Sequence, residues 1–136
     1  DNVKFGFQGN ASGGSGFNEV ITSSAFNALH NEADTTTALG YQAVDDQAQG
    51  TSYQNMSWEV GNGSDECCVG EFHLFSPSST SKVKHFYSTM QMYNYHNFTR
   101  TGFAGGYINT TSAIDEISFK MTSGNFDGNI YLFGVS

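Results

Sequence analysis

Alternation of apolar and polar residues in the last third of the chain most narrowly limits what this sequence can fold into. Ile117, Phe119 and Met121 alternate with polar side chains, and a second alternating run covers residues 130–135. A Ser-Gly-Asn sequence at 123–125 separates the two runs. A period of two is typical of half-buried antiparallel strands, and a Gly/Asn break between such runs is typical of a hairpin. The sequence therefore predicts a β-hairpin here.

The rest of the chain shows the same pattern in shorter pieces. Strand-like runs separated by turn residues occur at 3–8, 17–22, 38–44, 51–60, 68–75, 82–95 and 103–109, and loops are expected at 9–16, 34–37, 61–66 and 97–101. Residues 25–33, with Ser24 as a candidate N-cap, instead have the composition of a short helix. About nine short strands predict an all-β fold, an antiparallel, jelly-roll-like β-sandwich with one short helical segment.

The length of 136 residues corresponds to one domain, which we expect to span residues 1–136. Aromatic residues make up 15% of the chain, including twelve Phe and seven Tyr, and can build a core although hydrophobic residues reach only 38%. The polar start at residues 1–4 has no signal-peptide pattern. Because a strand-like run begins at Val3, we expect the chain to begin inside a larger protein, with strands upstream of it.

The charge balance excludes two classes of partner. The net charge is −8, with only five Lys and Arg residues. Nucleic acid requires a basic face that neutralises phosphates, and an anionic membrane surface requires similar charge. No apolar run approaches the roughly 20 residues of a membrane-spanning helix. We therefore expect neither nucleic-acid binding nor membrane insertion.

The two cysteines, Cys67 and Cys68, are adjacent in the sequence. Neighbouring residues on a strand point to opposite faces, so a disulfide between them would need a distorted peptide. The sequence predicts two free thiols or a thiol packed as a small hydrophobic group, and their number and spacing do not suit a metal site.

Several groups of ionisable side chains are candidates for a metal site. On a helix, His30 and Asp34 would share a face and could hold a divalent metal, but solvated charges at a helix end are the favoured interpretation. The acidic pairs at 45–46 and 65–66 could ligate calcium through oxygen, yet they lack the regular spacing of a calcium loop. We favour solubilising turns and predict no cofactor and no metal site.

Paired carboxylates could also suggest glycoside cleavage. Asp115 and Glu116 would point to opposite faces of a strand, and Asp127 lies in a turn where side-chain hydrogen bonding to the backbone explains it. No Gly-x-Ser-x-Gly motif is present. The sequence therefore predicts a protein that is not an enzyme.

One aromatic and polar stretch is the best candidate for a recognition surface. Sugars bind to aromatic platforms flanked by hydrogen-bonding side chains. The residues that could form a glycan or interface surface are Tyr87, Tyr93, Tyr95, His96, Asn97 and Arg100. Core packing combined with a subunit interface is the favoured alternative.

Several phrases of the chain resemble one family. They include GGSGFNEVITSSAFNALHNEADTTTALGYQ at 13–42 and DQAQGTSYQ at 46–54, and most specifically LFSPSSTSKVKHF at 74–86 and SAIDEISFKMTSGNFDG at 112–128. This family comprises poorly characterised virion structural proteins of tailed phages and uncultivated, often marine, viruses. Members of the family carry more sequence upstream, so the resemblance implies that this chain is the C-terminal part of a longer protein. It also implies a β-rich virion component without catalytic residues, such as a capsid decoration, a tail part or a fibre.

The expected function is therefore that of a non-enzymatic virion structural component. It would assemble through β surfaces and aromatic patches, as a homo-oligomer (a trimer is the expected form) and with other virion proteins. The alternative is a carbohydrate-binding, lectin-like module that recognises a host surface glycan.

Overall fold

Nine β-strands and no helix make up residues 2–135, the part of the chain that this computed structural model describes; Asp1 and Ser136 lie outside it. The strands are β1 (Phe5–Ala11), β2 (Ile21–Asn31), β3 (Thr37–Tyr41), β4 (Ala48–Gly50), β5 (Gln54–Asn55), β6 (Cys67–Leu74), β7 (Lys84–Tyr93), β8 (Phe98–Ile108) and β9 (Ile114–Met121). The all-β prediction is confirmed.

The strands form two antiparallel sheets. The small sheet has three strands in the order β5-β1-β9, and the large sheet has six, in the order β3-β2-β8-β7-β6 with β4 paired to β2. The sheets face each other across an aromatic core, in which the ring of Phe7 lies 4.3 Å from that of Phe72 and 4.8 Å from that of Phe86. The predicted sandwich-like architecture is thus confirmed as two facing antiparallel sheets.

Alternation explains which side of the large sheet faces the core. Along β7, every second residue from Lys84 to Met92 is buried, and the residues between them are exposed or half-buried. Trp58 covers the inner side of β8 at Gly102, where an added Cβ would overlap the indole ring. Large aromatic side chains therefore fill the core because small residues on the facing strands leave them room.

The small sheet is covered on both faces. Gln8 points away from the sandwich core, yet it is fully buried and donates from Nε2 to the carbonyl oxygens of Glu19, Thr51 and Ser52. Loops therefore close the far side of the small sheet, and the buried amide is satisfied by backbone carbonyls, as burial requires.

The predicted helix at residues 25–33, with Ser24 as its cap, is wrong. Most of that stretch belongs to β2, which pairs with β8 along its whole length from Ile21 to Asn31. Ala25 and Asn27 point into the core, while Phe26 between them points outward. Tertiary pairing on both sides overrides the weak helical preference of the local composition.

The predicted terminal hairpin is half wrong. Its first arm is β9, but residues 130–135 form no strand and lie exposed. A bend replaces the tight turn: Gly124 has a positive φ of 69°, and Phe126 then packs edge-on against Phe5 at 5.2 Å. This contact directs the chain away from β9, so the second arm does not return along it.

The strand predicted at 51–60 is largely wrong, because only the two residues of β5 form a strand there. The remaining boundaries differ by smaller amounts. The runs at 68–75 and 82–95 correspond to β6 and β7, and the acidic turn at 61–66 contains no strand. The expected loops at 9–16 and 97–101 are shorter, since β1 continues to Ala11 and β8 begins at Phe98. The run at 17–22 enters β2 only at its end, because the preceding residues cross over the small sheet instead.

Candidate functional surface

The outer face of the large sheet, turned away from the core, is the most distinctive surface of the molecule. Its strands, central and edge alike, carry large side chains that the chain itself does not cover. Exposed fractions are 44% for Phe26, 57% for Tyr41, 43% for Tyr87, 77% for Leu39 and 70% for Val69. Single exposed apolar residues are common, but a group of them on one face marks an interaction surface.

One side of this outer face is built around a stacked aromatic pair. Phe26 of β2 and Phe103 of β8 are opposite each other in the register, and their rings lie 4.8 Å apart with an interplanar angle of 16°. Tyr41 of β3 is the partner of Phe26 on its other side. The pair forms because cross-strand neighbours at such positions are close enough for their rings to stack.

The other side carries a second aromatic group. His73 of β6 and Tyr87 of β7 are cross-strand partners whose rings stack at 4.5 Å and 18°. Phe75, just beyond β6, adds a third ring at 5.8 Å from Tyr87. The two groups form aromatic walls: the first spans β3, β2 and the central strand β8, and the second spans β7 and the edge strand β6.

The strip between the two groups has small side chains. Ser24 and Tyr87 both align with Gly105, the central residue of that row. A Cβ at Gly105 would meet its nearest neighbours at an ordinary 3.7 Å, so space is open above it. The outer face therefore has a shallow trough with aromatic side chains along its sides.

Hydroxyl and amide groups continue the trough toward the other end of the sheet. Gln91 donates from Nε2 to Thr99 Oγ1 and accepts at Oε1 from Thr101 Oγ1, each at 2.6 Å. Thr99 and Thr101 also line a shallow depression of about 180 Å³ together with Ala28, Leu29 and His30. Polar groups suited to hydrogen bonding therefore lie next to the aromatic walls.

The outer face carries little charge. Its described strand positions include the carboxylate of Glu71 and no lysine or arginine. Two of its phenols are favoured in the neutral form: a hydrogen bond to Asp46 raises the pKa of Tyr41, and desolvation, followed by the nearby charge of Glu32, raises the pKa of Tyr93. The negative charge of the chain is therefore concentrated elsewhere.

The structure separates the residues that the sequence predicted as one recognition surface. Tyr87 and Tyr93 lie on β7 with outward alternation, and Tyr95, His96 and Asn97 form the turn to β8. Asn97 has a positive φ of 59°, which asparagine tolerates better than most residues, and its Oδ1 accepts from the Tyr93 hydroxyl at 3.1 Å. These five residues therefore follow β7, the strand next to the β6 edge, and the turn after it.

Arg100, the sixth predicted residue, lies on the opposite face. It is buried toward the core, and its Nη1 forms an ion pair with Glu59 Oε2. Asn94 donates to the same carboxylate oxygen at 3.0 Å. A buried guanidinium needs such a partner, so Arg100 stabilises the fold and does not reach the outer face.

Two of the ionisable groups considered in the sequence have structural partners. His30 and Asp34 do meet, at 3.0 Å, but across the turn after β2 and in solvent. Asp45 is buried and accepts from Lys4 Nζ at 2.6 Å and from Asn55 Nδ2 at 2.8 Å. Residues 2–135 contain no group of three or more His, Cys, Asp or Glu side chains placed to hold a metal ion.

The predicted free thiols are confirmed, because neither Cys67 nor Cys68 forms a disulfide. Cys67 is exposed and faces outward, whereas Cys68 packs partly against the core. Burial, followed by the charge of Cys67, raises the pKa of Cys68.

Sequence reasoning missed most of the outer face. Phe26, Tyr41, Phe103 and His73 were assigned to separate segments, and nothing indicated that they share one surface. The available signal was the alternation Ser24, Phe26, Ala28, which has the period of a strand. The helical interpretation of residues 25–33 concealed it.

Comparison with known proteins provides no relative. No family model matches the chain, and neither a curated protein nor a solved structure is similar enough to count as a match. Within residues 2–135 there is also no helix of the length and apolar character needed to cross a membrane.

Proposed function

We propose that this protein is a non-enzymatic structural component of a virus particle, a capsid decoration, tail or fibre module. In this proposal it acts in the virion and assembles with copies of itself and with other virion proteins. The observation that carries the proposal is the outer face of the large sheet, where aromatic groups around Phe26 and Tyr87 are exposed with little charge between them. The resemblance to virion structural proteins supplies the biological setting.

The composition of the outer face suits burial against a neighbour. Cores of protein interfaces are enriched in Tyr, Phe and Met and depleted in charge. Because the chain carries a net charge of −8, contacts between copies are favoured on a face that carries little of it. A homo-oligomer follows, with a trimer as the expected form, and a jelly-roll-like arrangement of the two sheets belongs to the same proposal.

The proposal is tested in purified particles. Mass spectrometry should detect the chain in stoichiometric amounts, and cryo-electron microscopy should locate it in a regular lattice, ring or appendage with the outer face against a neighbour. Absence of the chain from purified particles would contradict the proposal. Breakdown of a sugar polymer by the purified protein would contradict its non-enzymatic part.

A second candidate function, recognition of a host surface glycan, is favoured by the trough itself. Sugar rings stack on aromatic side chains and hydrogen-bond to hydroxyl and amide groups. Tyr87 lies beside the open floor at Gly105, and Gln91 and Thr99 continue the trough with polar groups.

Glycan arrays followed by titration of a hit would test this candidate. Tyr87→Ala should weaken binding by about tenfold or more, since one stacked ring contributes a large share of a sugar site. Val44→Ala is the control, because Val44 is a large apolar side chain that is even more exposed than Tyr87 but lies outside the trough. Equal affinities of the two variants, or aromatics buried between subunits in the particle, would contradict glycan recognition.

A further inference from the structure

The last described segment of the chain, residues 129–135, has the composition of a buried strand but lies in solvent. We call it the exposed segment. Its large side chains are Ile130, Tyr131, Leu132, Phe133 and Val135, with exposed fractions of 53%, 75%, 90%, 81% and 95%. A contiguous apolar run of this kind is costly to leave in water and marks an interaction site.

The backbone of the exposed segment is not hydrogen-bonded to other described residues. Within the described residues, none of its amides or carbonyls is hydrogen-bonded to the rest of the chain. The chain is held just before it, where Thr122 donates to the Lys4 carbonyl at 2.8 Å and Phe126 packs on Phe5. The segment therefore leaves a fixed point on the protein with unused strand-forming groups.

The sandwich has an open side that could accept a strand. In the described sheets, β9 pairs only with β1, and β6 pairs only with β7, so each presents an edge without a neighbouring strand. At the start of the β9 edge the Ile114 amide donates to the Pro77 carbonyl at 2.8 Å, so the edge open to a further strand lies beyond Ile114. These edges lie on the same side of the core, because Phe119 of β9 and Phe72 of β6 are in edge-to-face contact at 6.1 Å. A strand placed beside β9 would extend the three-stranded sheet over the six-stranded one.

The seam between these two edges is apolar and incompletely covered. The side chains that line it pack against the core but are only partly buried: Cys68, Phe72 and Leu74 from β6, and Ile117, Phe119 and Met121 from β9. An additional strand with apolar residues at alternate positions would complete their burial.

We propose that the exposed segment of one copy adds as a strand to the free edge of β9 in a second copy. Alternate side chains of the segment enter the seam between β9 and β6, and its backbone completes the hydrogen bonds of the β9 edge. This inference rests on the proposed assembly function and adds a second contact between copies, separate from the outer face of the large sheet.

Length and charge fit this occupant. Residues 129–135 are close in length to the 8 residues of β9 and contain no charged side chain, so two copies with net charges of −8 can join there without local repulsion. The segment does not occupy the edge of its own β9, because the Phe126–Phe5 contact directs it outward. A second copy is the partner that supplies both the strand and the seam.

Truncation provides the first test. Sedimentation velocity over a concentration series compares the full chain with a chain that ends at Gly128, both carrying Cys67→Ser to prevent disulfide-linked dimers. Self-association should weaken by about tenfold or more on truncation, as expected when an interface loses its central apolar residues. Unchanged association would overturn the inference. Thermal unfolding verifies that the shortened chain remains folded.

Alternation provides a sharper test. The double variants Ile130→Asp/Leu132→Asp and Tyr131→Asp/Phe133→Asp each add two charges to the segment, but on opposite sides of a strand. Strand addition predicts that one pair weakens association much more than the other, because only one set enters the seam. Equal effects would show nonspecific adhesion and overturn the inference. Val44→Asp, at an exposed site elsewhere, should leave association unchanged.

Hydrogen–deuterium exchange identifies the partner strand. Amides of residues 129–135 and of β9 should gain protection together as concentration rises. Protection of both at every concentration would indicate a hairpin within one chain and overturn the inference.

These outcomes can be distinguished from those that test the proposed function. If the chain is present in particles but its truncation leaves self-association unchanged, the proposed function stands and the inference fails. If the chain is absent from particles but its self-association still requires the exposed segment, the inference stands and the proposed function fails.

Discussion

The two faces of the large sheet are built from alternate residues of the same strands, yet they meet different requirements. On the inner face each large group has a partner: Trp58 covers Gly102, Arg100 pairs with Glu59, and Lys84 donates to two backbone carbonyls. On the outer face the aromatic rings meet one another and then solvent. Inner residues therefore explain why the chain folds. The outer aromatics contribute little to folding, which is why we connect them with contacts to other molecules.

Removing one aromatic ring from the inner face and one from the outer face should give the largest difference in the free energy of unfolding. Phe7→Ala should reduce the free energy of unfolding by about 3–5 kcal/mol, because it leaves a cavity between Phe72 and Phe86. Phe26→Ala removes a half-exposed ring and one stacking contact, and should cost about 1 kcal/mol. Urea denaturation measures both. Similar losses would mean that the outer face is part of the folding core after all.

Two glycines of β8 allow the inner and outer faces to be compared by adding a methyl group, without removing any side chain. Gly102→Ala would push a methyl group into the Trp58 ring and should cost about 3 kcal/mol. Gly105→Ala adds the same methyl group above the open trough, where the nearest atoms are at 3.7 Å, and should change stability by less than about 0.5 kcal/mol. Thermal and urea unfolding of the pair test this. A destabilised Gly105→Ala variant would show that the trough is closed.

The contrast between β6–β7 and β2 shows how far the sequence could predict this fold. In β7 the residues alternate strictly and the flanking turns are rich in Ser and Asn, so local pattern and final structure agree. In β2 the residues Ala25 and Leu29 also suit a helix, and only pairing with β3 and β8 decides for a strand. That pairing is nonlocal, and one sequence does not reveal which strands become neighbours.

The prediction of the recognition surface also depended on residues that are close together in the sequence. Tyr87 and Tyr93 were recognised because they lie close together in the sequence, and so was Arg100, which alternation along β8 turns to the other face. His73 and Phe26 belong to distant segments and reach the same surface only through strand order. The terminal hairpin failed for a different reason: its pattern does indicate a strand, but the pattern does not say where that strand finds its partner.

Ion pairs on the two faces should differ less than the aromatic rings do. Arg100→Met removes the partner of the half-buried Glu59 carboxylate and should cost about 2 kcal/mol. Asp34→Asn removes the solvent-exposed pair with His30 and should leave the unfolding free energy unchanged within error. Denaturation in low and high salt distinguishes them, because only exposed pairs are well screened. A larger loss for Asp34→Asn would contradict the assignment of inner and outer faces.

The adjacent cysteines compare the two faces of the large sheet at neighbouring residues, and here we expect the smallest effect. Cys67 faces outward and is exposed, whereas Cys68 faces the core and its pKa is raised by burial. A raised pKa leaves less of the reactive thiolate at a given pH, so Cys68 should react with iodoacetamide more slowly than Cys67, by about tenfold at pH 8. Cys67→Ser and Cys68→Ser variants, followed by mass spectrometry, separate the two rates. The Cys68 rate should still be rising at pH values above the ordinary pKa of a cysteine thiol, since burial raises the pKa of Cys68 and delays its ionisation. Equal rates in the two variants would mean that β6 separates from the core often enough to expose both of its faces, which would make this edge strand the mobile part of the sandwich.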